Sequence, residues 1–154
     1  MTNSAGVIAI DQYLAHPPAQ VWRTLTDPEL LARWLMPNDF APVVGHRFTF
    51  HTKPRPDLGF DGTVHCEVLE LTPERLLRLA WRGGRLDSTV TWTLRPEGKG
   101  TRLFLEHAGF DTDDPAQLHA YTIMGGGWRA IMTRGLDRVL PPSVAGTGKS
   151  RRPS

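Results

Sequence analysis

The sequence predicts an α+β fold, in which antiparallel strands separate two short N-terminal helices from a longer C-terminal helix. Two helix-start signals and apolar residues at helical spacing occur together within residues 15–35. Apolar and polar side chains alternate with a period of two through much of residues 47–108, which is typical of strands. A helical apolar pattern returns at residues 128–140.

The two short helices follow a first predicted strand, Val7–Leu14. The Pro-Pro pair after that strand ends it and begins a helix that runs to about Thr24, because a proline in the first turn loses no helical hydrogen bond. Asp27 is a good N-cap for the second helix, with a proline directly after it and Glu29 in the positive first turn. We therefore expect a tight joint at residues 26–28.

The strand segments each predict one apolar face for the core. Turns or loops are expected at residues 72–75, 83–84 and 96–100, where proline and glycine accumulate. The predicted inward-facing residues are Phe48, Phe50, Val64, Cys66, Val68, Leu77, Leu79, Trp81, Val90, Trp92, Leu94, Leu103, Leu105 and His107.

The last helix has its cap at Asp114, which precedes a proline, and its clearest helical pattern at residues 128–140. The run Gly125-Gly126-Gly127 lies before that pattern. Each glycine in a helix costs about 1 kcal/mol relative to alanine. The run therefore predicts a break, a kink or the close approach of another backbone.

Length and charge predict a single folded domain and a tail. The chain has 154 residues, 40% hydrophobic and 22% charged, which is ordinary for one globular domain. We expect the domain to occupy residues 1–142 and residues 143–154 to form a disordered basic tail, because that segment offers no core residues. Net charge is only +2 and part of it lies near the tail, so we expect no nucleic-acid surface.

The sequence also indicates in which cellular compartment the protein is expected. Cys66 is the single cysteine and cannot form an internal disulfide, which favours a reducing environment. The first residues lack a basic start and an apolar core, and no stretch approaches 18 apolar residues. We expect a cytoplasmic protein without a membrane span, as a monomer or as a homodimer paired through an edge strand.

The motifs of common cofactor and metal sites are absent from the sequence. Gly148-Lys149-Ser150 has the end of a phosphate-binding loop, but Ser143 stands where its first glycine is required. The six histidines form no HExxH motif, there is no CxxC pair, and no nucleophile elbow occurs. We predict no cofactor, no metal and no catalytic residue.

Three stretches resemble the START-like (SRPBCC) superfamily: AHPPAQVWRTLTDPELLARWL at 15–35, DSTVTWTL at 87–94 and GTRL at 100–103. The chain looks most like the branch named after the activator of the ninety-kilodalton heat-shock protein ATPase, over about residues 7–140. The resemblance implies a helix-grip fold, in which a curved antiparallel sheet wraps a long C-terminal helix and leaves a cavity between them. Its members include lipid carriers, polyketide cyclases, toxin-binding resistance proteins and co-chaperone domains, so the fold alone does not assign a function.

In such a fold, the aromatic residues of separate elements would converge on the interior, where they either fill the core or line a ligand cavity. We expect Trp22 and Trp34 to fill the core, and His107 to be a hydrogen-bonded core histidine more readily than a ligand contact. The candidate ligand-binding residues are Phe48, Phe50, Trp81, Trp92, His107, Trp128 and Met132.

Three functions stay open. The favoured one is binding of a small apolar or aromatic molecule in the cavity, which agrees with the absence of a catalytic motif. A cyclase-like or aromatase-like enzyme would place polar residues such as His107, Tyr121 or Arg82 deep in that cavity. A co-chaperone-like interaction domain would instead show a filled cavity and an exposed patch. We expect chaperone activation to be absent, since this chain has no room for the activator's additional N-terminal domain.

Overall fold

Six antiparallel strands form one sheet in the computed structural model, which describes residues 6–84 and 86–140. The sheet order is β1-β6-β5-β4-β3-β2, so the first strand pairs with the last. This α+β architecture confirms the predicted helix-grip fold. The strands are β1 Val7–Leu14, β2 Arg47–His51, β3 Thr63–Thr72, β4 Leu76–Gly83, β5 Leu86–Glu97 and β6 Gly100–Ala108.

The period-two pattern identified the inner face of the sheet correctly. Every inward-facing residue predicted above is buried. The predicted loop at residues 96–100 is shorter than expected, because β5 continues to Glu97 and β6 begins at Gly100. A two-residue link remains, in which Gly98 has a φ of 58°. That left-handed conformation suits glycine, which has no Cβ to clash.

The two short helices occupy the positions that the sequence predicts. Helix α1 spans Pro18–Thr26, slightly beyond the predicted end, and α2 spans Pro28–Trp34. Asp27 accepts a hydrogen bond from the Glu29 backbone N–H at 2.9 Å, which confirms the predicted cap. Trp34 is buried, and its Nε1 donates to the Thr24 carbonyl oxygen at 2.9 Å, joining the end of one helix to the other.

The C-terminal helix consists of α3, Pro115–Ala130, a π-helical segment, Ile131–Gly135, and α4, Leu136–Val139. Asp114 caps it by accepting from the Ala116 backbone N–H at 3.1 Å. The three glycines at 125–127 lie inside α3 without interrupting it, so the expected break is wrong at that place. The irregularity lies at the π segment, where one turn holds about one extra residue.

The close approach of another backbone occurs at Gly135. A Cβ there would lie 3.0 Å from the Trp34 carbonyl oxygen, whereas a Cβ on Gly126 would meet nothing within 4 Å. Gly135 therefore lets the C-terminal helix pack directly against the end of α2. The glycine run at residues 125–127 predicted the close approach of another backbone. The glycine that allows such an approach is Gly135, further along the helix.

The C-terminal helix and the pair α1 and α2 cover one face of the sheet. The hydrophobic core lies between these helices and the sheet. No helix among the described residues is long and apolar enough to span a membrane. The predicted domain end at residue 142 and the predicted tail, residues 143–154, lie outside the described part of the chain.

Alanine substitutions at two helical glycines should have opposite effects. We expect Gly126→Ala to raise the free energy of unfolding by about 0.5–1 kcal/mol, because alanine restricts the unfolded chain and meets open space in the fold. Gly135→Ala should lower it, because the new methyl group presses on the Trp34 carbonyl. Urea denaturation of both variants measures the difference, and equal shifts in the two would contradict this account.

Candidate ligand cavity

A continuous series of aromatic rings runs through the core. Ring centroids along Phe48, Phe50, Trp81, Trp128, Trp92 and Trp34 are successively 5.3, 5.4, 5.5, 5.8 and 6.3 Å apart. All five pairs meet edge to face or tilted rather than as face-to-face stacks, which are less favourable for aromatic rings. The structure therefore brings five of the predicted site residues together, along with Trp34.

His107 lies at the centre of a buried hydrogen-bond relay. Trp128 Nε1 donates to His107 Nδ1 at 2.9 Å, and His107 Nε2 lies 2.8 Å from Ser88 Oγ. Ser88 Oγ in turn donates to the Trp81 carbonyl oxygen at 2.8 Å. Because the indole N–H can only donate and the Ser88 proton goes to the carbonyl, the imidazole proton belongs on Nε2.

This relay requires a neutral imidazole. Burial lowers the pKa of His107 to about 3, since the charged ring would lose its hydration. Protonation would also add a proton at Nδ1, which already faces the Trp128 N–H. His107 is therefore a fully hydrogen-bonded core residue that joins β6 to the C-terminal helix and to β5.

Met132 and Trp92 complete the predicted set, and both are buried. The Met132 carbonyl oxygen, within the π segment, accepts from Gln12 Nε2 at 2.9 Å. In the described part of the chain, Trp92 Nε1 and Gln12 Oε1 have no hydrogen-bond partner. These contacts place both predicted residues in the packed interior between sheet and helix.

An apolar cavity of about 190 Å³ lies beside this core, between the sheet, α3 and the loop 52–62. Its buried floor is formed by side chains of β3, β4 and β5, namely Val64, Trp81 and Leu86. Its other lining residues are Met36, Thr52, Arg55, Phe60, Gly83, Ala116, Gln117, Ala120, Ile123 and Met124.

The predicted site residues are divided between cavity and core. Trp81 lines the cavity. Trp128, with Trp81, lines a more open hollow of about 270 Å³ that shares Met36, Ile123 and Met124 with it. The remaining predicted residues line neither space and are buried: Phe48, Phe50, Trp92, His107 and Met132.

Sequence reasoning missed most of the cavity wall. Ala120, Ile123 and Met124 belong to the first part of α3, before the strongest helical pattern begins. Gln117, Ala120 and Met124 are nevertheless separated by three and four residues, a spacing that places them on one helix face. That spacing was the available signal. Phe60 and Arg55 lie in a loop, where periodicity carries no information.

The loop 52–62 is held in place over the cavity. Arg55 and Phe60 exchange two backbone hydrogen bonds, with N···O distances of 2.8 and 3.0 Å. A Cβ at Gly83 would lie 3.0 Å from Phe60 Cε1, so the glycine allows the ring to pack on the end of β4. The loop is thereby fixed to the sheet next to the opening.

An ion pair and a neighbouring histidine lie beside the cavity, where they form a cluster of Arg55, Asp57 and His119. Arg55 binds both carboxylate oxygens of Asp57, Nε to Oδ1 at 3.1 Å and Nη2 to Oδ2 at 2.8 Å. These hydrogen bonds raise the pKa of Arg55 and lower the pKa of Asp57. His119 Nε2, on α3, lies 3.4 Å from Asp57 Oδ2. The cluster therefore links the loop to α3 beside the cavity.

The polar residues expected deep in the cavity of a cyclase-like enzyme, His107, Tyr121 and Arg82, do not line this cavity. Tyr121 Oη donates to the Val7 carbonyl oxygen at 3.4 Å, and Arg82 pairs with Asp87 at 3.0 Å. Burial raises the pKa of the Cys66 thiol to about 12, which keeps it protonated and a poor nucleophile. Within residues 6–84 and 86–140, no group of three or more histidine, cysteine or acidic side chains could hold a metal ion.

The curved sheet, the long C-terminal helix and the cavity between them define a START-like, helix-grip protein. The sequence profile of a family described as Activator of Hsp90 ATPase homolog 1-like protein matches residues 15–141. The chain belongs to this family. None of the curated proteins compared with it is significantly similar in sequence.

Several solved structures share the fold. Protein MLL2253 from Mesorhizobium loti is 35% identical, with a TM-score of 0.74 over 88% of this chain and 99% of that one. CalU16 from Micromonospora echinospora is 27% identical, with a TM-score of 0.70 over 90% of this chain and 78% of that one. The Aha1 dimer from Colwellia psychrerythraea is 17% identical and has a TM-score of 0.67, with 86% and 95% covered.

The buried neutral His107 should make the fold sensitive to acid. Its pKa is about 3 in the fold and about 6.5 in an unfolded chain. Between those values the unfolded state binds more protons, so the free energy of unfolding should fall by about 1.4 kcal/mol per pH unit as pH decreases from 6.5 towards 3. Above pH 6.5 this contribution is constant and fully present.

The control for this prediction is His107→Gln, whose amide can accept from Trp128 and donate to Ser88 without titrating. Chemical denaturation of both proteins at a series of pH values gives the two slopes. The variant should show a shallower dependence between pH 6.5 and 3. Parallel curves would show that His107 does not carry the effect.

Proposed function

We propose that this protein binds a small, largely apolar molecule in the cavity between the sheet and α3. The observation that supports it most is the cavity itself: a buried apolar floor with polar side chains confined to its rim. Ligand sites commonly combine apolar walls with a few polar groups that fix orientation.

The dimensions of the cavity favour a small ligand. An apolar cavity of about 150 Å³ can hold one benzene molecule. The 190 Å³ cavity therefore suits a single ring or a short acyl chain, and the adjoining hollow offers space for an extension along Ile123 and Met124. Methionines such as Met36 and Met124 adapt their shape readily, which suits a wall that must close around a ligand.

Binding without turnover agrees with the placement of polar groups. The floor residues offer no acid or base, and both ring nitrogens of His107 are engaged within the core. A cyclase-like activity would need proton-transferring groups close to the bound molecule. The cavity instead offers shape and an apolar environment, which are the requirements of a carrier or a sequestering protein.

A second candidate is a protein-interaction role, which the family's description suggests. Val43, Val44 and Leu69 are exposed apolar side chains at one end of the sheet. The Gly45 N–H donates to the Val68 carbonyl oxygen at 2.8 Å, and the Val68 N–H donates to the His46 carbonyl oxygen at 3.0 Å. These bonds bring the loop that carries Val43 and Val44 alongside β3. Exposed apolar clusters are common at protein-binding surfaces. This candidate gains support if the cavity binds nothing.

Two further expectations accompany the main proposal. The reduced, buried thiol of Cys66 suits the cytoplasm. The strand β1 is an outer strand of the sheet, and pairing of two such edges would give a homodimer as an alternative to a monomer. Size-exclusion chromatography with light scattering distinguishes the two states.

The cavity can be tested by filling it. Native mass spectrometry identifies any retained molecule, and a thermal-shift screen of fatty acids, flavonoids and single-ring aromatics finds others. A ligand at a hundred times its dissociation constant should stabilise the fold by about 2.7 kcal/mol. Ala120→Phe, which places a ring in the cavity, should abolish the shift, whereas Ala32→Phe on the exposed side of α2 should retain it. Equal shifts in both variants would place binding elsewhere.

A further inference from the structure

The lining of the cavity has one charged member among the described residues, Arg55, and its position is specific. Its guanidinium lies at the mouth, with the side chain 41% exposed, while the floor opposite is apolar. A molecule that fills the cavity must therefore present one end to the floor and its other end to this cation. The site favours an amphipathic ligand over a wholly apolar one.

Arg55 is already bound to a carboxylate. Asp57 occupies both Nε and Nη2 in the paired geometry that guanidinium groups form with carboxylates. The same two donors would serve a ligand carboxylate that replaced the Asp57 side chain. Asp57 thus shows which chemical group this end of the cavity accepts.

A second side chain is within reach of Asp57 when it leaves Arg55. His119 Nε2 lies 3.4 Å from Asp57 Oδ2, and all three side chains are substantially exposed. Exchange of partners in such a cluster costs little, because ion pairs exposed to solvent contribute little to stability. Asp57 can therefore turn towards His119 and solvent while Arg55 binds an incoming anion.

We propose that the ligand of this cavity is a small monocarboxylic acid with one ring or a short chain, whose carboxylate binds Arg55 in place of Asp57. The inference rests on the proposed ligand-binding function and adds the chemical class of the ligand. The apolar part lies on the floor formed by Val64, Trp81 and Leu86, and the acidic end lies at the mouth. Asp57 is then an internal competitor that sets the affinity.

Matched ligands test the proposal: 4-phenylbutyrate and 4-phenylbutan-1-ol, which differ only in the polar end. Isothermal titration calorimetry of the wild-type protein should show the carboxylate binding about fivefold more tightly, as one charge-assisted contact at an exposed rim would give. Arg55→Met keeps an apolar stem and should reduce that ratio to one while leaving the alcohol bound. Asp57→Asn removes the competitor and should raise the ratio.

Arg47→Met is the matched control, because Arg47 is a highly exposed arginine on β2 that does not line the cavity. It should leave the ratio unchanged. Equal affinities for the two ligands in the wild type, or an unchanged ratio in Arg55→Met, overturn the carboxylate assignment but leave cavity binding intact. Absence of binding by both ligands overturns the proposed function and this inference with it.

Discussion

The buried hydrogen bond from the Trp128 indole to His107 joins the C-terminal helix to the middle of the sheet. Because His107 also bonds to Ser88, which bonds to the Trp81 carbonyl, this contact extends across β4, β5 and β6. A buried polar group is costly unless it is satisfied, so each member of the relay fixes the position of the next. The aromatic series packs around this fixed point, and the cavity is the space left beside it.

The packed core and the cavity beside it are largely separate. The core stabilises the fold, and the cavity leaves space for a ligand of the proposed kind. Trp81 belongs to both, with its ring in the aromatic series and on the cavity floor. The other walls come mainly from the part of α3 before Trp128 and from the loop 52–62, and none of these wall residues belongs to the aromatic series. A ligand of the proposed kind would therefore be accommodated by local adjustment of residues such as Met124, while the relay keeps the sheet and helix together.

The sequence was sufficient for the fold and for the inner face of the sheet, because strand alternation and proline-linked caps such as Asp27 are local signals. It predicted that Phe48, Phe50 and Trp92 converge, but whether a converging aromatic fills space or borders it depends on packing between distant elements. The sequence did not predict which residues lie at the cavity mouth. Arg55 and Asp57 are close in sequence, yet their meeting with His119 is decided by tertiary structure alone.

The π-helical segment 131–135 has a consequence for comparing relatives of this protein. One extra residue in a helical turn rotates everything after it by about 100° relative to an uninterrupted α-helix. Trp128 and Leu136 are both buried on either side of that segment. If the segment became a regular α-helix without losing a residue, Leu136 would turn away from the face that carries Trp128, whereas deletion of one residue would restore a regular helix with Leu136 on that face. Relatives with one residue fewer between these two positions are therefore expected to have an uninterrupted α-helix there.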